Sequence, residues 1–122
     1  VIASLGVDSG YVPYTCFSAL GSYMKEHPEI IQSFTRGIQK GLDYVNSHSS
    51  EEIAKVIQPQ FEETDDDTLK TIVERYHSQD TWKTDTIFTE EAFELLQNIL
   101  EEAGVLEQRV DYDALVTTQF SK

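Results

Sequence analysis

The strand-like residues of this sequence sit at its very beginning, and everything after them is patterned as helix. Val1-Ile2-Ala3-Ser4-Leu5 reads as a buried strand from its first residue, and Gly6 follows as a breaker. Tyr14 to Leu20 mixes aromatic and small residues and is assigned as a second short strand. Two strands alone make at best a marginal sheet in water. The expectation is therefore a mostly α-helical piece with one or two short N-terminal strands, cut from a longer protein and completing a sheet whose other strands lie elsewhere. Between the two strands, Gly6 to Pro13 holds two glycines and a proline, which predicts a loop that needs positive φ and close approach to a neighbour.

From Pro28 onward the apolar residues recur at steps of three and four. Pro28 suits a first helical turn, Glu29 complements its positive end, and Ile31, Phe34, Ile38, Leu42 and Val45 form a stripe expected to be core. Gly37 and Gly41 weaken that helix by about 1 kcal/mol each relative to Ala, and a neighbouring backbone packed close to them would compensate. Ser49 and Glu52 have capping-box spacing ahead of a short helix that Pro59 stops. Thr64 is placed as the cap of a third helix, with Asp65, Asp66 and Asp67 in its first turn and Leu69, Ile72, Val73 and Tyr76 as its buried stripe. Thr89 opens an amphipathic helix through Phe93, Leu96, Ile99 and Leu100 that Gly104 ends. Asp111 caps a last turn, and the tail from Thr117 is expected to fray.

Charge removes whole classes of partner. The 122 residues carry 22 Asp plus Glu against 9 Lys plus Arg, a formal net charge of -13. Binding to phosphate backbones or anionic membrane surfaces draws on the opposite sign, so no nucleic-acid partner is expected. Cys16 is the single cysteine, which rules out an intrachain disulfide and a cysteine-rich metal site. No stretch approaches the roughly 20 apolar residues of a membrane span.

The motifs that resemble catalytic or metal sites do not hold up. The run Glu62 to Asp67 lacks the alternating ligands, central glycine and closing glutamate of a calcium loop, and helix-end charge accounts for it. His27, His48 and His77 are scattered singly. Ser9 in Asp-Ser-Gly lacks the flanking glycines of a nucleophile elbow, and Gly6 and Gly10 fit neither a dinucleotide fingerprint nor a P-loop. No cofactor and no catalytic residue is assigned. A hydroxyl and aromatic group remains, Ser9, Tyr11, Tyr14, Thr15 and, far along the chain, Trp82, which suits a small-molecule pocket and a packed core equally well.

The run Val1 to Thr15 resembles the returning hinge segment of ABC-importer solute-binding proteins of the nitrate, sulfonate, taurine and thiamine-precursor group. Later segments agree in order: His27-Pro28-Glu29 with its helix start, Tyr44-Val45-Asn46 and Ser50 to Ala54 with its next helix pair, then Arg75-Tyr76, Asp80-Thr81-Trp82, Phe93 and Gly104-Val105-Leu106 with its tail. The resemblance implies the α/β type II periplasmic-binding fold, with residues 1–20 as hinge crossover and strand and 28–118 as helices closing the first lobe. Most of that lobe and nearly all of the second would lie outside this chain. It further implies a non-enzymatic, extracytoplasmic clamp that hands a small metabolite to a permease, with Ser9, Gly10, Tyr14 and Thr15 nearest the ligand and Trp82 as a further lining residue. Two other readings stand beside it: a freestanding helical module docking a partner through the Phe93 to Ala103 helix, and an enzyme of thiamine-pyrimidine synthesis. Uncovered strand edges and apolar surface also predict self-association, by exchange of an element.

Overall fold

The computed structural model describes residues 8–121, so the expected strand Val1 to Leu5 and the hinge glycine Gly6 lie outside the described residues. The helices are α1 (Gly21–Glu26), α2 (Pro28–Ser47), α3 (Ser50–Ile57), α4 (Asp66–Ser78), α5 (Glu90–Glu102) and α6 (Tyr112–Leu115), with a 3-10 turn at Gln58–Gln60. Among the described residues there is no strand. Two compact units divide the chain: Gly37–Asp85, and residues 8–36 with 86–121. The first nine residues of α2 fall in the latter and the rest of the helix in the former.

In Gly37–Asp85 the core is the contact of α3 with α4. Ile53 and Ala54 on one helix meet Leu69 and Val73 on the other, all four buried, and Tyr44, Val45, Ile57 and Trp82 pack around them. Both helices start where local chemistry tells them to. The Ser49 side chain accepts from the Glu52 N–H while the Glu52 carboxylate accepts from the Ser49 N–H at 2.9 Å, a complete capping box. For α4 the cap is Asp65, not Thr64: its carboxylate takes the Thr68 N–H at 2.9 Å and the Thr68 hydroxyl at 2.7 Å. Aspartate accepts through two oxygens and carries a charge suited to the positive helix end, so it outcompetes the neighbouring threonine.

A Schellman turn ends α4, with Thr81 N–H on Tyr76 C=O and Asp80 N–H on His77 C=O. Asp80 holds the left-handed position, φ 51°, that glycine normally takes. The turn reverses the chain, and two α2 side chains hold the returning segment: Gln39 donates to Thr84 C=O at 2.8 Å and Asn46 to Lys83 C=O at 2.9 Å.

In the other unit α5 supplies the buried residues, Phe93 and Gln97. Thr89 caps the helix as expected, and its end is a second Schellman turn, here with Gly104 at φ 69°. Phe93 lies edge-on to Phe88 and Tyr112, and the Tyr112 hydroxyl donates to Phe88 C=O. The expected fraying of the tail is not what is found. Gln32 donates to Phe120 C=O at 3.1 Å and Ser121 to Thr86 C=O at 2.9 Å, so side chains distant in sequence hold it.

Other expectations are corrected as well. Tyr14 to Leu20 forms no strand, because no described segment pairs with its backbone. Asp111 precedes α6 without a side-chain capping bond. The α2 stripe holds no fully buried residue and Phe34 is exposed, so the helix presents an apolar face only partly covered. No described atom outside the helix's own backbone comes within 4 Å of a Cβ built on Gly37 or Gly41, so the close neighbour expected there is missing.

Truncating Ile53 to Ala should destabilise the chain by roughly 2–5 kcal/mol, as burial at this site predicts, read by urea denaturation followed by circular dichroism. A pH dependence comes from the caps. Bonds from the Thr68 N–H and then its hydroxyl hold Asp65 below its ordinary 3.8, and bonds from the Ser49 hydroxyl and then its N–H hold Glu52 below 4.5. A depressed folded-state value stabilises fully above the unfolded value, and that stabilisation is lost as pH falls through the folded one. Stability should therefore decline below about pH 4.5, and Asp65→Asn, which keeps a capping oxygen without the charge, should flatten the decline in acid denaturation.

Candidate functional site

Four of the five residues singled out from sequence fall in one short segment. Ser9, Gly10, Tyr14 and Thr15 belong to the unit of residues 8–36 and 86–121, whereas Trp82 belongs to Gly37–Asp85. Gly10 has φ 75°, the positive value expected of this loop, and Leu95 of α5 lies 3.5 Å from where its Cβ would sit. Leucine at that distance is in ordinary contact, so the backbone conformation, more than lack of room, calls for glycine. Val12 N–H then bonds back to Gly10 C=O at 2.9 Å across Tyr11, a tight three-residue turn.

Beyond that turn the chain runs out into solvent. Every residue from Tyr14 to Leu20 is exposed, and Tyr14 itself is 99% exposed. Phe17 touches α2 through an edge-on contact with Phe34, ring centres 4.9 Å apart. The segment is thus fixed at Gly10 and at Phe17 and presents an aromatic ring and two hydroxyls, Tyr14 and Thr15, outward between them. A tyrosine so placed gives a large rigid surface with a polar tip, suited to one wall of a ligand site.

Trp82 has different surroundings. It is half-buried against the α3–α4 core and lies edge-on to Tyr76 and His77, at 5.5 and 5.2 Å between ring centres. His77 joins three segments here. Its Nε2 donates to Val45 C=O at 2.8 Å, and its Nδ1 lies 3.4 Å from the Ser50 hydroxyl. The ring thus ties the end of α2 to the start of α3 and the end of α4.

Two polar side chains, Gln97 of α5 and Arg109 of the loop after it, hold that loop to the helix. The buried Gln97 amide accepts from Val110 N–H at 2.7 Å and donates to Val110 C=O at 3.1 Å, as a neighbouring strand would. Arg109 pairs with Glu94, with Glu101 at 3.0 Å and with Asn98 at 2.7 Å, and the first two of these hold its guanidinium above its ordinary range. Among the described residues no group of three or more His, Cys, Asp or Glu side chains is placed to hold a metal ion, and no helix is long and apolar enough to cross a membrane.

The chain aligns end to end with part of a longer protein. "Putative binding protein YtlA" of Bacillus subtilis (strain 168) is 36% identical over 122 residues, which are 100% of this chain and 36% of that protein. The chain therefore spans little more than a third of the length of the curated relative it matches. No family model and no solved structure matches it.

Sequence reasoning passed over Phe17 and Leu20, which share the exposure of Tyr14. A signal for them was present: from Ser9 to Met24 there is no charged residue, in a chain where 25% of residues are charged. Gln97 and Arg109 gave no such signal, because their partners are a backbone amide and carboxylates brought in by the helix turn. Gly10→Ala should cost about 1–2 kcal/mol, the strain of a left-handed alanine, whereas Tyr14→Ala should change urea stability by less than about 0.5 kcal/mol.

Proposed function

We propose that this chain is the C-terminal part of the solute-binding component of an ABC importer, a non-enzymatic clamp that holds a small metabolite outside the cytoplasm and passes it to a permease. The observation that carries this reading is the open Ser9–Thr15 segment, which ends on a fully exposed tyrosine next to a threonine hydroxyl. A site wall left bare in this way fits a chain whose opposite wall belongs to the rest of a longer protein. The match to 36% of a protein named for binding supports the same reading, as does the order of segments shared with the nitrate, sulfonate, taurine and thiamine-precursor group.

The full protein would have the α/β type II periplasmic-binding fold, and the crossover around Gly10 would lie at its hinge. Ser9, Gly10, Tyr14 and Thr15 would contact the ligand, a pyrimidine thiamine precursor, a sulfonate or a similar small compound. No bond is made or broken on this reading. Closure of two lobes would supply the 70–90% burial typical of small ligands, and one wall alone forfeits much of it. The alternative of a freestanding module docking through α5 has less to offer a partner, since α5 turns Phe93 and Gln97 into its own unit.

Titration calorimetry of the full-length protein against a panel of pyrimidines, sulfonates and nitrate should find one ligand with saturable binding, with a smaller radius of gyration by X-ray scattering when it is bound. The 122-residue chain alone should show no heat of binding. Absence of binding and of compaction across the panel in the full-length protein would defeat the proposal, and so would turnover of any panel compound detected by mass spectrometry.

A further inference from the structure

The segment offered to the ligand carries no charge of either sign: from Ser9 to Met24 there is no Asp, Glu, Lys, Arg or His. What it presents is neutral throughout. The Tyr14 phenol is bare on both faces, and the Thr15 hydroxyl bonds no described residue. The Ser9 hydroxyl has a long 3.4 Å bond to Gly10 C=O, and the backbone from Tyr14 to Ala19 makes no hydrogen bond with any described residue, as donor or acceptor. Cations are scarce around it as well. Among the described residues of the same unit the lysines and arginines are Lys25, Arg36 and Arg109, and Arg109 is engaged by Glu94 and Glu101.

We propose that the ligand taken by this wall is a flat, nitrogen-containing ring of zero or positive charge stacked on Tyr14, and that anions such as nitrate and sulfonates are rejected. The inference rests on the transport reading and narrows it. A conjugated ring laid on the phenol ring gains contact over its whole face. That face is the negative part of the phenol quadrupole, so it attracts a cation and repels an anion brought over it. Hydroxyls and peptide groups both donate and accept, which matches the ring nitrogens and amino groups along the edge of a heterocycle.

An anion fares worse on the same surface. Closure strips its water, and a buried charge is tolerated when a partner of opposite sign takes the place of that water. The Ser9–Thr15 wall supplies no such partner, and the net charge of -13 on the chain repels an anion on approach while it draws a cation in. A cation on the opposite wall is the competing arrangement, and it would make an anion the tightest ligand.

Titration calorimetry of the full-length protein tests it with one aminopyrimidine ring carrying a hydroxymethyl, an aminomethyl or a carboxylate group, beside nitrate and ethanesulfonate. The hydroxymethyl and aminomethyl compounds should bind, and the carboxylate, nitrate and ethanesulfonate should bind at least about tenfold more weakly or not at all. Tyr14→Leu should weaken the ring compounds about tenfold, whereas Tyr14→Phe, which keeps the ring, should stay within about threefold. Tyr14 is 99% exposed in this chain, so the helical circular dichroism spectrum should be unchanged in both variants. Stacking itself is read by nuclear magnetic resonance: the ring protons of the bound ligand should move upfield in the parent and in Tyr14→Phe and lose that shift in Tyr14→Leu. Tightest binding of an anion overturns the proposal and leaves the transport reading standing, and so does a ring compound indifferent to Tyr14→Leu. If nothing in the panel binds, the transport reading falls and this inference falls with it.

Discussion

The contact of α3 with α4 is the interaction on which the Gly37–Asp85 unit depends. Ile53 and Val73, the largest fully buried side chains among the described residues, face each other across it, and little else in that unit is wholly withdrawn from water. With so small a buried surface, hydrophobic burial alone specifies the geometry weakly, and the polar groups at the helix ends add what is missing. The Ser49–Glu52 box and the Asp65 cap set where the two helices begin, the Schellman turn at Asp80 sets where α4 stops, and Gln39 and Asn46 hold the returning chain by its carbonyls. Each of these bonds is modest in water; together they leave the buried residues few other arrangements.

The second unit reaches the same end differently. There the buried polar residue is Gln97, whose side-chain amide pairs both the N–H and the C=O of Val110. A loop that would otherwise need a strand beside it is satisfied by one side chain, and the Arg109 ion pairs hold the same loop to α5. Apolar coverage is thin: Phe93 is its one buried apolar residue among those described, while aromatic and aliphatic side chains from Tyr11 to Phe34 remain in water. Carboxylate-rich surfaces keep such a molecule dissolved, and the uncharged Ser9–Met24 run is where that protection lapses.

Most of the helices were legible from sequence, because their signals are local. Pro28, the Ser49 box, Thr89 and Gly104 each act within one turn of where they stand, and the structure has them at helix ends. Two errors are local, the cap placed at Thr64 instead of Asp65 and the capping bond that Asp111 does not make; the larger ones come where a remote segment decides. Tyr14 to Leu20 has the composition of a strand, yet a strand exists only with a neighbour, and none is present among the described residues. The α2 stripe has the periodicity of a core helix and lacks the cover that would make it one. The tail reads as loose by composition and is held by Gln32 and by Thr86, residues whose approach no pattern announces. For the site, Gly10 was readable because positive φ favours glycine wherever it occurs; the half-buried packing of Trp82 on the α3–α4 core was not, since aromatic residues suit pockets and cores alike.

The chain has a single tryptophan, and it sits on the α3–α4 core. Its fluorescence is therefore a gauge of the Gly37–Asp85 unit and is blind to the other, whereas the far-ultraviolet signal of α5 and α6 comes wholly from the unit that contains Gln97. Emission in a melt thus follows one unit, whereas ellipticity follows the helices of both. Coincident curves mean that the two units unfold as one cooperative body, and separated curves mean that each answers to its own core.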